Sequence, residues 1–281
     1  MRNTFFISAC FLLLILGCSS PKLMSYQEFS MVKELKLPQI LNLKSSEKEI
    51  LYFGTYHSNS ISDSLFLRIK KEFKEFQPNF VLHEGGNDWP IYKNKDSTVL
   101  ISGEPGYIIQ LSQDNKIKYS TIEPKAKDEY EYLLKRYSLE YVVLMYMCRQ
   151  IDNQQRLAIQ HNTTDIQFIH NMNYFFRMLA NDGIPINGEK LEFLYWKNVY
   201  KKLLKEELVW RKFNPELYYP NKYLTKLNEI NRVSDEFRNS YMVEKILSTS
   251  DKFDKLMVLL GGGHLIMQQN LLEYKFNKKY K

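Results

Sequence analysis

The sequence predicts an α/β fold: a central mixed or parallel sheet flanked by helices, with a helical insertion capping the C-terminal edge of the strands. Three observations lead there. Four short apolar runs, "EILYFGT" (49–55), "PNFVLHEGG" (78–86), "KIKYSTIEP" (116–124) and "KLMVLLGGGH" (255–264), have strand length and are each followed by a turn or helix signal. The first two flank "SDSLFLRIKKEFKEFQ", where Leu65, Ile69, Phe73 and Phe76 recur at helical spacing behind Ser62 or Asp63 as a cap. From about 127 to 250 the pattern changes to apolar residues three and four apart.

Taken in order, the chain opens on Arg2 and an apolar run over residues 5–16 that ends in "LILGCSS". The run is too short to span a bilayer, and its charged start marks a secretory signal over 1–17. Leu14-Ile15-Leu16-Gly17-Cys18 resembles a bacterial lipoprotein cleavage site. That resemblance implies cleavage before Cys18, lipid on its thiol and amine, and attachment to the bacterial cell envelope. Ser19 and Ser20 follow without an aspartate beside the cysteine, which favours the outer membrane. Residues 18–47, polar with scattered apolar positions, read as a lipidated tether and lead-in. About 260 residues remain after the signal, enough for one large domain over 48–281.

The first two runs and the helix between them form a strand–helix–strand unit. Its right-handed crossover should make the two strands parallel neighbours. The insertion is dense in tyrosine and phenylalanine, which at helical spacing serve packing. Cys148 is the one cysteine left outside the signal and the lipidation site, so an internal disulfide is ruled out. The formal net charge of +7 is spread over scattered lysines with no nucleic-acid motif, which argues against a nucleic-acid partner. Solvated faces, or attraction to anionic lipid near the anchor, account for it.

Chemistry collects where the runs end: Gly54-Thr55-Tyr56-His57, Glu84-Gly85-Gly86, Glu123-Pro124 and Gly261-Gly262-Gly263-His264. Ligands of open parallel sheets bind beyond the carboxyl ends of the strands. His57, Glu84, Glu123 and His264 should therefore gather on one edge, with the glycines of 261–263 as the bend that presents His264. Successive strand side chains point to opposite faces, so of His83 and Glu84 one faces the site; Glu84 is the choice, and His83 is structural. His161 and His170 lie in helical stretches without a partner at ligand spacing. The G-x-G-x-x-G spacing of a phosphate loop is absent from "VLLGGGHLIM", and no lysine follows its glycines.

Four motifs in register resemble the TraB/GumN family, which includes the TIKI proteases and is distantly related to erythromycin esterases. They are GTxH at Gly54-Thr55-Tyr56-His57, a strand ending in Glu84, R-N-x-x-M at Arg238-Asn239-Ser240-Tyr241-Met242, and G-x-x-H at Gly261 to His264. Order and spacing agree from about 48 to 273. "GEPGYIIQLSQDNKIKYSTIEP", with Glu123 before its proline, also looks like the middle of bacterial members. GGGH stands where GAGH is common, and the insertion is tyrosine-rich.

The resemblance implies hydrolysis of a peptide or small ester, with TIKI-like members acting as metal-dependent peptidases. His57 and His264 suit a divalent manganese, cobalt or zinc ion, with Glu84 as third ligand or as general base. Arg238 stays charged and suits an oxyanion or a substrate carboxylate. A metal-free route uses the same residues, with Glu84 orienting His57 as it deprotonates water. The other class is a surface lipoprotein without turnover that sequesters a peptide, or a haem held by the two histidines.

Overall fold

A computed structural model describes residues 21–32, 34–86 and 89–281. The signal expected over 1–17 and the lipidation expected at Cys18 lie outside the described residues. The order is α1 (Tyr26–Ser30), β1 (Gln39–Lys44), β2 (Glu49–Thr55), α2 (Ser64–Phe76), β3 (Phe80–His83), α3 (Lys95–Asp114) and β4 (Lys118–Thr121). There follow α4 (Ala126–Leu134), α5 (Leu139–His161), α6 (Asp165–Asn181), α7 (Phe193–Leu204), α8 (Lys226–Ser250), β5 (Lys255–Gly261) and α9 (Gly262–Tyr280). Among the described residues, no helix is long and apolar enough to cross a membrane.

The strands form one mixed sheet in the order β1-β2-β5-β3-β4, with β1 antiparallel and the rest parallel. This is the α/β class expected. Two expectations are corrected. Residues 39–44, read as tether, form edge strand β1, with Leu41 opposite Tyr52 and Leu43 opposite Ile50. The strands of the first two runs are parallel but not adjacent, because β5 lies between them. Its residues 256–260 are all fully buried, and so apolar a run belongs in the sheet centre with both faces covered.

Alternation along the strands divides the core by face. Ile50, Tyr52, Val258 and Leu260 pack with Met242 and Ile246 of α8 and Leu265 and Phe276 of α9. Leu51, Phe53, Met257 and Leu259 pack with Leu65 and Ile69 of α2 and Tyr107 and Ile108 of α3. The insertion has its own core, built around Met145, Phe168, Phe176 and Trp196.

Helix α8 joins the two cores. Its 25 residues span about 37 Å at 1.5 Å rise per residue. Leu227 and Ile230 near its start belong to the insertion, whereas Met242, Val243 and Ile246 belong to the sheet. Glu129 of α4 pins it midway, accepting hydrogen bonds from Tyr146 (2.6 Å) and Ser234 (2.5 Å) through Oε1. The turn holding Asp235, Arg238 and Asn239 therefore hangs over the C-terminal edge of the sheet, where the two layers meet.

Candidate functional site

His57 leaves the sheet two residues after β2 and stays largely exposed, with its side chain 75% accessible. Its partner is the buried Glu104: Nδ1 lies 2.6 Å from Oε1, and the other carboxylate oxygen accepts the Ser58 N–H at 3.2 Å. Asp63 fixes the same loop from below, accepting from the hydroxyls of Tyr56 and Ser58 while capping α2 at the Leu65 N–H. The Glu104 hydrogen bond raises the His57 pKa above its ordinary value; burial opposes this, and the Glu84 charge adds to it.

Glu104 reaches His57 because α3 breaks one residue earlier. Gly103 takes φ 54°, and a side chain there would press a Cβ to within 2.9 Å of the Ser58 carbonyl oxygen. The helix restarts with Pro105, whose fixed φ suits a first turn.

Glu84 follows β3 directly and faces the cleft, where its Oε2 accepts the Gly261 N–H at 2.8 Å. His83 is fully buried, as the strand parity requires. Because β5 separates β2 from β3, its end delivers Gly261 and His264 between His57 and Glu84.

His264 lies in the first turn of α9, with Nδ1 2.9 Å from Asn239 Oδ1. The tautomer follows from the surrounding network. Asn239 Nδ2 donates to the Asp235 carbonyl and Gln268 Nε2 donates to Asn239 Oδ1, so that oxygen can only accept. The Nδ1 of His264 therefore carries the proton, leaving Nε2 as an acceptor or ligand. Burial and then the Arg238 charge lower the His264 pKa, against Glu84, Asp235 and Glu123.

Arg238 lines the cleft but is engaged by carboxylates. It meets Glu123 through two parallel bonds, Nε to Oε2 at 3.1 Å and Nη2 to Oε1 at 2.7 Å, and Asp235 at 3.3 Å. Burial disfavours its charge, yet Glu123 and Asp235 outweigh that and raise its pKa. Glu123 accordingly acts on Arg238 and holds it in place.

The N-terminal segment closes one side. Tyr26 of α1 donates to Asp235 Oδ2 at 2.5 Å, and Phe29 and Leu37 line the same cavity of about 440 Å³ as His57, Glu84 and His264. A second cavity of about 660 Å³, with Trp89 and Pro105 in its wall, shares His57, Glu84 and Arg238 with the first. No positive φ occurs among the glycines 261–263, so they do not form a left-handed bend, and among these three close approach requires glycine only at Gly262. A Cβ on Gly262 would fall 2.2 Å from Leu37 Cδ2.

His57, Glu84, Arg238 and His264 thus share one cleft, with Glu123 behind Arg238. Among the described residues, however, no three His, Cys, Asp or Glu side chains are grouped to hold a metal ion. Glu104 as the partner of His57 escapes the sequence reading, which gave that task to Glu84. Its signal is a charged residue between Gly103 and Pro105, just before the apolar stretch "YIIQL". The chain matches no family model, no curated protein and no solved structure.

Proposed function

We propose that this chain is a lipid-anchored hydrolase of peptide or ester bonds, related to the TraB/GumN family, with His57 as its general base. The observation that carries the reading is the 2.6 Å contact between His57 Nδ1 and the buried Glu104, beside Glu84 and His264 in one cleft. A carboxylate on Nδ1 fixes the ring and stabilises the imidazolium, leaving Nε2 for the reacting proton.

In this reading His57 Nε2 takes a proton from water as the hydroxide attacks the substrate carbonyl carbon. The oxyanion lies against the uncapped first-turn amides of α9, whose dipole favours negative charge. Collapse of the intermediate breaks the acyl bond, and the leaving amine or alcohol takes the proton back from His57. Glu84 keeps one oxygen on the Gly261 N–H and has the other for the water or the leaving group. No step is routed through a metal, because the donors expected to bind one are not grouped around a common point.

The test is hydrolysis of peptide and ester substrates by the purified protein, its His57→Ala variant and its Glu104→Gln variant. Loss of turnover in both variants is the expected result. Full turnover in His57→Ala would remove the proposal.

A further inference from the structure

Two cavities meet at the reacting groups, and the sheet sets them side by side. The cavity of about 440 Å³ lies over the β2–β5 half of the sheet, with Thr55, Gly261 and Gly262 in its wall. The cavity of about 660 Å³ lies over the β3–β4 half, with Gly85 and Glu123 in its wall. His57, Glu84 and Arg238 belong to both. Helix α5 runs past each cavity, contributing Arg149 to the first and Asn153 to the second. One helical turn separates those residues, an offset of about 6 Å along the axis. An extended peptide advances about 3.3–3.6 Å per residue, so about two residues carry it from one cavity to the other.

The larger cavity carries a fixed aromatic wall. Trp89 is half-buried there, and its Nε1 donates to the Glu84 carbonyl oxygen at 3.4 Å. Gly85 takes φ 76°, and a Cβ on it would fall 2.8 Å from the indole, so the ring rests directly on the backbone beside Glu84. Pro105 adds a second rigid apolar surface to the same wall. A ring held in place before a ligand arrives offers contact area at little cost in conformational entropy.

A site built for a chain end would close beyond the reacting groups, whereas here lined space continues on both sides of them. At the junction Arg238 is taken up by Glu123 and Asp235, which leaves it unsuited to a terminal carboxylate. We propose that the cleft binds an extended peptide along α5 and hydrolyses an internal bond. The residues flanking that bond occupy separate cavities, and Trp89 selects an aromatic or large apolar side chain in the larger one. This rests on the hydrolase reading and deepens it by naming the substrate class. The C–N bond breaks, the acyl part keeps the hydroxyl of the attacking water, and the other part leaves as an amine with the proton from His57. Both products are peptides rather than a single released residue.

The probe is a mixture of random-sequence decapeptides, acetylated at one end and amidated at the other, with products read by mass spectrometry. Wild type should cut at internal bonds and, at one position near the cut, favour phenylalanine over alanine by at least about tenfold, the low end for an apolar pocket. Trp89→Ala should bring that ratio within about threefold, and Trp89→Phe should keep part of the preference. Cleavage confined to the first or last bond would overturn the proposal without needing any variant to fold, and would leave the hydrolase reading standing. A preference that survives in folded Trp89→Ala would overturn it as well. If no peptide is cut, the peptidase reading fails. Trp89-dependent retention of intact decapeptides on the immobilised protein, with tripeptides passing through, would then still support two-sided recognition. Neither cleavage nor retention would overturn both.

Discussion

His57 and Glu104, 47 positions apart in the chain, meet at 2.6 Å at the mouth of the cleft, and the carboxylate is almost wholly buried. This pairing raises the histidine's pKa, so the neutral base is populated only above a value higher than the ordinary 6.5. The acid limb of kcat/KM should accordingly lie above that value. Glu104→Gln keeps the side chain's shape and removes the charge. Its turnover should fall by about 10²–10⁴-fold, the usual contribution of general-base catalysis, and its limb should move to lower pH. A pH–rate profile of the two proteins checks both, and an unmoved limb would disconnect Glu104 from the base.

The Arg238–Glu123–Asp235 cluster carries a prediction about stability. The three side chains are 12–18% exposed, so removing the cation strands two carboxylates in a poorly solvated place. Arg238→Met should lower unfolding stability by about 3–5 kcal/mol, the range for breaking a buried pair. Adding Glu123→Gln should recover part of the loss, because the second change removes one stranded charge. Urea unfolding of the single and double variants measures the recovery. Strict additivity would show that Arg238 and Glu123 act independently.

Where the fold was legible, burial made it so. The run over 49–55 coincides with β2 because every residue after Glu49 is buried, leaving the chain no choice of face. The same parity separated Glu84 from His83. "QILNLK" was not legible as a strand, because an antiparallel edge strand needs only Leu41 and Leu43 on the core. The place of β5 between β2 and β3 depends on packing that no local pattern encodes. Glu104 illustrates the same limit, since its meaning comes from a partner far along the chain and from the break at Gly103. The R-N pair at 238–239 was visible as a motif, yet the task of Asn239, fixing the His264 tautomer, appears only with Gln268 and Asp235 in place.

Chelation separates the two chemistries that the same residues could support. Because no three His, Cys, Asp or Glu side chains are grouped to hold an ion among the described residues, turnover should survive prolonged exposure to a strong chelator. Metal analysis before and after treatment shows whether an ion was removed. Loss of turnover on chelation, restored by manganese, cobalt or zinc, would place an ion between His57 and His264 and make Glu84 its third ligand.

Gly262 and Leu37 test whether the N-terminal segment is a fixed wall of the cleft. A Cβ at Gly262 would come within 2.2 Å of Leu37 Cδ2 and within 3.2 Å of its other branch atoms, so the whole side chain would have to move. Overpacking of this kind costs about 1–3 kcal/mol. Against it stands the gain of about 0.4–1 kcal/mol when alanine replaces a glycine whose backbone conformation it can adopt. Gly262→Ala should therefore be destabilising or close to neutral in the wild type. In a Leu37→Ala background the clash is gone, and the same substitution should stabilise by up to about 1 kcal/mol. Denaturant unfolding of the four proteins in this cycle gives the coupling. If Gly262→Ala has the same effect in both backgrounds, Leu37 is not seated against α9 in solution.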